Sequence, residues 1–225
     1  VTGLPVGEPV EIGPPGLRPA PVLEGRDVIL RRPRAADDTA PLHAATHGTP
    51  EAEAVWTYMG YGPWASAEEM QVWVAGRPES ADPHWYTVAS TEDDRPLGMA
   101  TIMNHDAAMR RAELGHIWYV PAAQHTTTNT EAAYLMLVEC FDGLGCRRVE
   151  WKCDALNERS RAAALRLGFV FEGTFRNHMI VKGRNRDTAW FAMTPDDWSA
   201  ARPRMEHWLY ELDRDAGRPR GPLAG

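Results

Sequence analysis

The stretch NERSRAAALRLGF, residues Asn157–Phe169, decides the fold when it is read with RRVEWKCDA, residues Arg147–Ala155, just ahead of it. In the upstream piece Val149, Trp151 and Cys153 alternate with Arg148, Glu150 and Lys152, the period-two pattern of a strand with unlike faces. Asn157 suits a helix N-cap, because its side-chain oxygen can accept from the first free backbone N–H groups. Ala162, Ala163, Leu165 and Leu167 build an apolar helix face. Gly168 ends that helix, and Phe169 opens a further apolar strand.

Working outward, DVILRRP from Asp27, HWYTVAS from His84, PLGMATIM from Pro96 and RAELGHIWYV from Arg111 read as the first four strands, with RRVEWKCDA the fifth. Residues 35–78 are helical with breaks. Residues 128–144 form a helix apolar nearly all round, through Ala132, Ala133, Tyr134, Leu135, Met136, Leu137, Val138 and Phe141, so most of its sides are buried. FVFEGTFRNHMIVK and DTAWFAM, joined by GRNR, make a late hairpin. Thr194-Pro195 opens a last helix with a cap followed by proline. The order is α+β. Residues 1–25 are a Pro/Gly-rich arm, 26–213 the domain, and 214–225 a flexible Gly/Pro/Arg-rich tail.

Composition narrows the classes. The chain has 225 residues, enough for one good core, and 44% hydrophobic residues with nine Trp place it among globular domains. A net charge of −7 argues against a nucleic-acid partner. No apolar run approaches the ~20 residues of a membrane span, and the N-terminus lacks the basic-then-apolar order of a signal peptide. Cys140, Cys146 and Cys153 have neither metal nor redox spacing, so they read as buried thiols of a cytoplasmic protein.

Three local clusters bear on chemistry. Thr128 and Glu131 have capping-box spacing ahead of the apolar helix, and the helix start is a physical anion site to which Thr126, Thr127 and Thr128 could add hydroxyl donors. The bland alternative is an ordinary capped helix. Trp56, Tyr58, Tyr61 and Trp64 crowd one segment, where they either line a pocket or anchor a Gly/Pro loop. His43 and His47 are four apart on a helix, but no third ligand of known spacing accompanies them, so no metal is expected.

Residues 26–200 resemble the GNAT superfamily of acyl-CoA N-acyltransferases, in the branch of the ribosomal-protein alanine N-acetyltransferases. They are most similar to a bacterial and fungal subfamily with PVGEPV, WTYxxYGP, QRTxxxTEA, RRVEWKCDAxNxxSRxAAxRLGF and VKGRNRDTAWF segments. The resemblance implies a mixed, mostly antiparallel sheet, splayed between the fourth and fifth strands and flanked by helices, with acetyl-CoA or another acyl-CoA in the splay. It implies that Gln124, His125, Thr126, Thr127, Thr128, Asn129 and Thr130 hold the pyrophosphate, with Thr127 and Asn129 where the family carries glycines. Trp118, Tyr119 and Val120 would pair with pantetheine, Asn157 would contact it, Ser160 would face the thioester and Arg161 would reach a phosphate.

The family's common acid, a tyrosine four residues before the Gly-Phe glycine, is replaced by Ala164, which leaves Ser160 as the nearest substitute. Glu113, on the same side as Gly115 and Ile117 by alternation, matches the common base; His116 and His178 are the other candidates. The aromatic segment Trp56–Trp64 falls where acceptors bind, together with His116 and His178. Lys182, Arg184 and Arg186 read as a solvated basic turn. The implied reaction is direct acetyl transfer to a primary amine of a small molecule by a monomer or homodimer. A peptide N-terminus as acceptor, or a CoA-binding module without turnover, are the alternatives.

Overall fold

A computed structural model describes residues 3–11, 17–212, 214, 215, 218, 219 and 223. One eight-stranded sheet runs β1-β2-β3-β4-β5-β6-β8-β7. Its strands are β1 (Val22–Glu24), β2 (Val28–Arg31), β3 (His84–Ser90), β4 (Pro96–Asp106), β5 (Arg111–Tyr119), β6 (Arg148–Asp154), β7 (Val170–Val181) and β8 (Arg184–Met193). All neighbours are antiparallel except β5 and β6, which are parallel and are joined by a helical crossover. β1 is a strand that the sequence reading left inside the arm; it pairs with β2 through a turn at Gly25. The strands expected to splay, fourth and fifth in the sequence reading, are therefore β5 and β6.

The helices are α1 (Ala35–Thr46), α2 (Pro50–Glu53), α3 (Ala67–Ala75), α4 (Thr128–Val138), α5 (Glu158–Leu167) and α6 (Pro195–Glu206). α1 and α3 cover one sheet face. Asp38 of α1 accepts from the Arg31 guanidinium at 2.9 Å and from the Thr87 hydroxyl at 2.7 Å, and Trp73 of α3 meets Trp85 edge-on. α4, α5 and α6 lie on the other face: Arg166 of α5 reaches Thr130 of α4, and a Cβ on Gly168 would meet Ala201 of α6 at 2.9 Å. The core between these layers holds Leu30, Tyr86, Ile102, Leu114, Met136, Leu137, Leu167 and Phe191, all essentially inaccessible.

Several local readings change. α5 starts as expected, with Asn157 Oδ1 accepting from Ser160 N at 3.1 Å, and ends at Gly168 with φ 101°, a left-handed conformation that suits glycine. Its buried face, however, is Ala164 and Leu167, whereas Ala162 and Leu165 are exposed. The hairpin turn is shorter than GRNR, because Arg184–Arg186 already belong to β8. α6 starts at the expected Thr194 cap with Pro195 behind it, and Asp197 completes a capping box there. All three cysteines are buried free thiols. No helix among the described residues is long and apolar enough to cross a membrane. Of the tail, Arg214–Asp215 and Arg218–Pro219 form a short antiparallel pair, and the rest of the expected frayed stretch, save Leu223, lies outside the described residues.

Candidate active site

The site is a fork in the sheet. β5 and β6 pair from Arg111↔Arg148 to Leu114↔Trp151, and no pairing follows. The cause is a bulge. Met99 of β4 stands opposite Trp118 and Thr101 opposite Gly115, so His116 and Ile117 share one partner residue, Ala100. His116 has φ 51°, and the strand bends there. Beyond the bulge, Trp118 and Tyr119 stay paired with Met99 and Gly98 of β4, while their edge toward β6 is left open. The bulge also breaks the alternation that grouped Glu113, Gly115 and Ile117 on one side; the grouping ends at Gly115.

At the start of α4 the expected capping box is absent. The N-cap is Thr127, without a side-chain cap bond. Glu131 is fully buried and turns to the β1–β2 turn instead. Its Oε1 accepts from Arg26 N at 2.7 Å, and its Oε2 from Asp27 N at 2.9 Å and Val28 N at 3.1 Å. Burial raises the Glu131 pKa, and the bonds from the Arg26 and Asp27 N–H groups oppose that rise. The hydroxyls expected to serve a phosphate are already bonded within the chain. Thr126 donates to Ala123 O at 2.7 Å and accepts from Thr128 N, and Thr127 donates to Asp27 at 3.1 Å. Helix geometry still leaves the N–H groups of Asn129 and Thr130 without intrahelical acceptors. Gln124 ties the loop to β5 by donating to Tyr119 O at 3.1 Å, and His125 is exposed with φ 59°. Arg166, which the sequence reading passed over, donates to Thr130 Oγ1 at 2.8 Å and brings a half-buried guanidinium to this helix start.

On the β6 side of the fork, Asn157 spends its amide oxygen as the α5 cap and its NH2 group donates to no described residue. Ser160 Oγ accepts from Trp151 Nε1 at 3.0 Å, which fixes the oxygen, and its hydroxyl also bonds the Cys153 side chain. Arg161 is exposed; it donates to Ala155 O at 3.2 Å and lies over the Phe171 ring. Ala164 is wholly buried and presents nothing to the fork.

On the opposite face Glu113 is 4% exposed. Lys152 Nζ lies 2.7 Å from its Oε2, and Asn104 Nδ2 donates to the same oxygen at 2.7 Å. Lys152 also sits over the Trp190 ring at 4.6 Å. Beside them opens a pocket of about 550 Å³, lined by Asp82, Asn104, Asp106, Glu150, Lys152 and Trp190 among others. Of this group sequence reasoning named Glu113 alone; the β5–β6 register that sets Lys152 beside it was the missing signal.

The other acceptor-side candidates divide. His116 stacks on Trp85 at 4.7 Å and lies 5.6 Å from Tyr61; burial, with a smaller effect of Arg77, lowers its pKa to about 4. His178 is exposed two strands from β6, its Nδ1 2.9 Å from Thr188 Oγ1. Trp56 is 1% exposed and donates from Nε1 to Thr46 O, so it is core rather than open pocket wall. Tyr61 and Trp64 pack around it, with ring centroids at 6.2 and 5.0 Å. Tyr58 reaches across to donate to Leu156 O at 3.1 Å, and Lys182 donates to Trp56 O at 2.8 Å, so this member of the supposed solvated turn is an anchor. His43 and His47 stack at 4.0 Å, and His47 Nε2 accepts from Trp64 N at 3.0 Å. No metal-binding cluster occurs among the described residues.

With this geometry in hand, the comparisons define the class: the chain belongs to the GNAT acetyltransferase family, whose Acetyltransferase (GNAT) domain matches residues 27–170. The family's reaction is acetyl-CoA-dependent acyl transfer. Among solved structures, a GCN5-related N-acetyltransferase from Brucella melitensis is 35% identical, with a TM-score of 0.84 over 93% of this chain and 96% of that one. A GNAT-family protein from Chromobacterium violaceum is 33% identical, with a TM-score of 0.78 over 88% of this chain and 100% of that one. A Bacillus subtilis protein named "Putative ribosomal N-acetyltransferase YdaF" is 28% identical over 122 residues, 54% of this chain and 66% of that relative's length.

Proposed function

We propose that the chain transfers an acetyl group from acetyl-CoA to the primary amine of a small molecule. The observation that carries this reading is the closure of the fork on its acceptor side. The segment 56–61 crosses it, with Trp56 against Trp118 at 4.7 Å, Tyr58 bonded to Leu156 and Lys182 bonded to the Trp56 carbonyl. A polar pocket of about 550 Å³ opens near Glu113, a size that suits a small acceptor. The ribosomal name of the Bacillus relative favours a second reading, acetylation of a protein N-terminus.

In the proposed reaction the helix start at Thr127–Thr130 takes the pyrophosphate. The open edge of Trp118–Val120 and the Asn157 amide take the pantetheine arm. Arg166 is better placed for a phosphate than Arg161. The acceptor nitrogen attacks the thioester carbon, a C–N bond forms, and the C–S bond breaks. Glu113 removes the amine proton, directly or through water, and a β5 backbone N–H holds the oxyanion. Ser160 donates toward the leaving thiolate. Three buried free thiols suit a reducing compartment, which supports a cytoplasmic site of action.

The test is thiol release from acetyl-CoA against a broad amine and peptide library, followed by Glu113→Gln. The carboxamide keeps the shape and removes the basicity, so kcat should fall roughly 10²–10⁴-fold with acetyl-CoA affinity intact. An unchanged pH–rate profile in the variant removes Glu113 and points to His116. Tight acetyl-CoA binding without turnover of any amine would instead establish a CoA-binding module.

A further inference from the structure

Glu113 carries an asymmetry. Both polar partners of its buried carboxylate, Lys152 Nζ and Asn104 Nδ2, meet the same oxygen, Oε2, each at 2.7 Å. Oε1 accepts from no described donor, yet it is not among the fully buried orphan atoms, so it keeps contact with solvent. The two partners come from opposite sides. Asn104 belongs to β4, where φ 50° and a bond from its backbone N–H to Asp82 Oδ1 at 2.8 Å fix its direction. Lys152 is the first β6 residue past the last paired position, Leu114↔Trp151, and its ammonium is steadied over the Trp190 ring at 4.6 Å. Both side chains line the pocket of about 550 Å³. A carboxylate with one oxygen held twice and the other left open cannot rotate freely. It offers a single acceptor atom in a fixed direction, as a pre-oriented base requires.

We propose that Lys152 and Asn104 are positioning residues that pin Oε2 of Glu113, and that Oε1 is the atom that receives the ammonium of a primary-amine acceptor. This rests on the transferase reading only for the identity of the site. The ligand chemistry, a primary ammonium offered to one carboxylate oxygen in a polar pocket, follows from the geometry. The other charged groups that face it are Asp82, Asp106 and Glu150 against Arg111, with His105 at the rim. Lys152 thus differs from a competitor that the acceptor must expel, because its ammonium and the acceptor's occupy different oxygens.

The test uses the full chain labelled with ¹³C at the glutamate side-chain carboxyls, with n-butylammonium as the probe and the Glu113 signal assigned by its loss in Glu113→Gln. In the wild type the probe should shift that signal saturably. In Lys152→Met and in Asn104→Ala the affinity should fall about tenfold, the scale of one hydrogen bond to a charged group, because the receiving oxygen is no longer held. Lys152→Arg, which restores a cationic donor, should recover most of the loss. Absence of a shift in the wild type overturns the assignment. So does tighter binding by Lys152→Met than by the wild type, which would make Lys152 a competitor, or unchanged affinity in both variants. Asn104 is exposed at the end of the β4–β5 hairpin, so its variant decides the matter should Lys152→Met fail to fold. Acetyl-CoA takes no part in this measurement. Failure to bind acetyl-CoA would strike the transferase reading and leave the pinning intact.

Discussion

Glu131→Gln is the sharpest test of how the loop ahead of α4 is held. Glu131 is 0% exposed and receives three backbone N–H groups, one on Oε1 and two on Oε2. A carboxamide has one oxygen and one NH2 group. With the oxygen facing Asp27 and Val28, the NH2 meets the Arg26 N–H donor to donor; flipped, it meets two donors. At least one N–H is orphaned and at least one charge-assisted bond is lost, terms of about 1–3 and 1.5–3 kcal/mol. Removing a buried charge returns part of that, since burial pushes the Glu131 pKa up. The net cost should be about 2–4 kcal/mol.

Urea denaturation at neutral pH, followed by tryptophan fluorescence, reads it as a lower midpoint at unchanged slope. Gly25→Ala should reproduce the defect, because its Cβ would stand 2.9 Å from Glu131 Cδ and Oε1 and from the Val28 carbonyl oxygen. The double variant should cost less than the sum of the two, as neighbours that share a contact do. Acetyl-CoA affinity should weaken in parallel, since Asp27 in this turn also holds Thr127. A Gln variant within about 0.5 kcal/mol of the wild type, the range of ordinary surface substitutions, would show that the turn is held elsewhere.

Thr128→Pro removes the N–H that Thr126 Oγ1 accepts and disfavours the helical backbone of Thr127, so the free Asn129 and Thr130 N–H groups lose their aim. Acetyl-CoA binding by calorimetry should weaken about tenfold, the scale of one hydrogen bond to an anion, whereas Thr128→Ser should stay within about twofold. Trp56→Ala should cost about 3–5 kcal/mol of stability by urea melt, the range for a fully buried aromatic, with the tryptophan's bond to the Thr46 carbonyl lost as well. A clean rise in acceptor KM at unchanged stability would return that residue to the pocket wall. His116, lowered by burial from near 6.5 to about 4, binds a proton in the unfolded chain before the folded one. Its contribution to stability is therefore full above pH 6.5 and is lost as the pH falls toward 4, by at most about 3 kcal/mol. His116→Phe should flatten the stability–pH curve of the wild type across that window, and an equally steep curve in the variant would exclude this histidine.

What the sequence made legible was local. The period-two pattern of β6, the Asn157 cap and the Gly168 stop each depend on residues within a few positions, and each appears in the structure. The apolar face of α5 did not, because a run of alanines has no contrast from which to read a phase. The helix meets its neighbours along Ser160, Ala164 and Leu167, at spacings of four and three. The Thr128–Glu131 spacing was a fair capping signal, defeated by partners at Arg26, Asp27 and Val28 that lie more than a hundred positions away. A buried carboxylate gains more from three backbone donors than from one, so the distant turn wins over the local cap. The aromatic segment shows the same limit: composition gave its residue types and not their depth, and Trp56 went to the core while Tyr58 stayed at the surface as a latch.

The polar half of the site was unreadable for a related reason. Asn104, Glu113 and Lys152 stand on three strands, and only the β4–β5 and β5–β6 registers bring them together. The bulge at His116 does two things in one residue. It ends the β5–β6 pairing, which opens the fork, and it resets the alternation so that the residues above it face differently from those below. Glu113 lies three positions before the bulge, on the last stretch where β5 is held on both sides. A base there is rigid because the sheet is still closed, and near the fork because the sheet is about to open. Moving it beyond the bulge would place it on the open strand edge that the proposed reaction assigns to the acyl donor. Moving it further back, to the position of Arg111, would keep it at the pocket and carry it away from the fork. The position of this carboxylate is thus tied to the position of the bulge. Shifting the bulge by one residue should disable transfer even with Glu113, Lys152 and Asn104 all present.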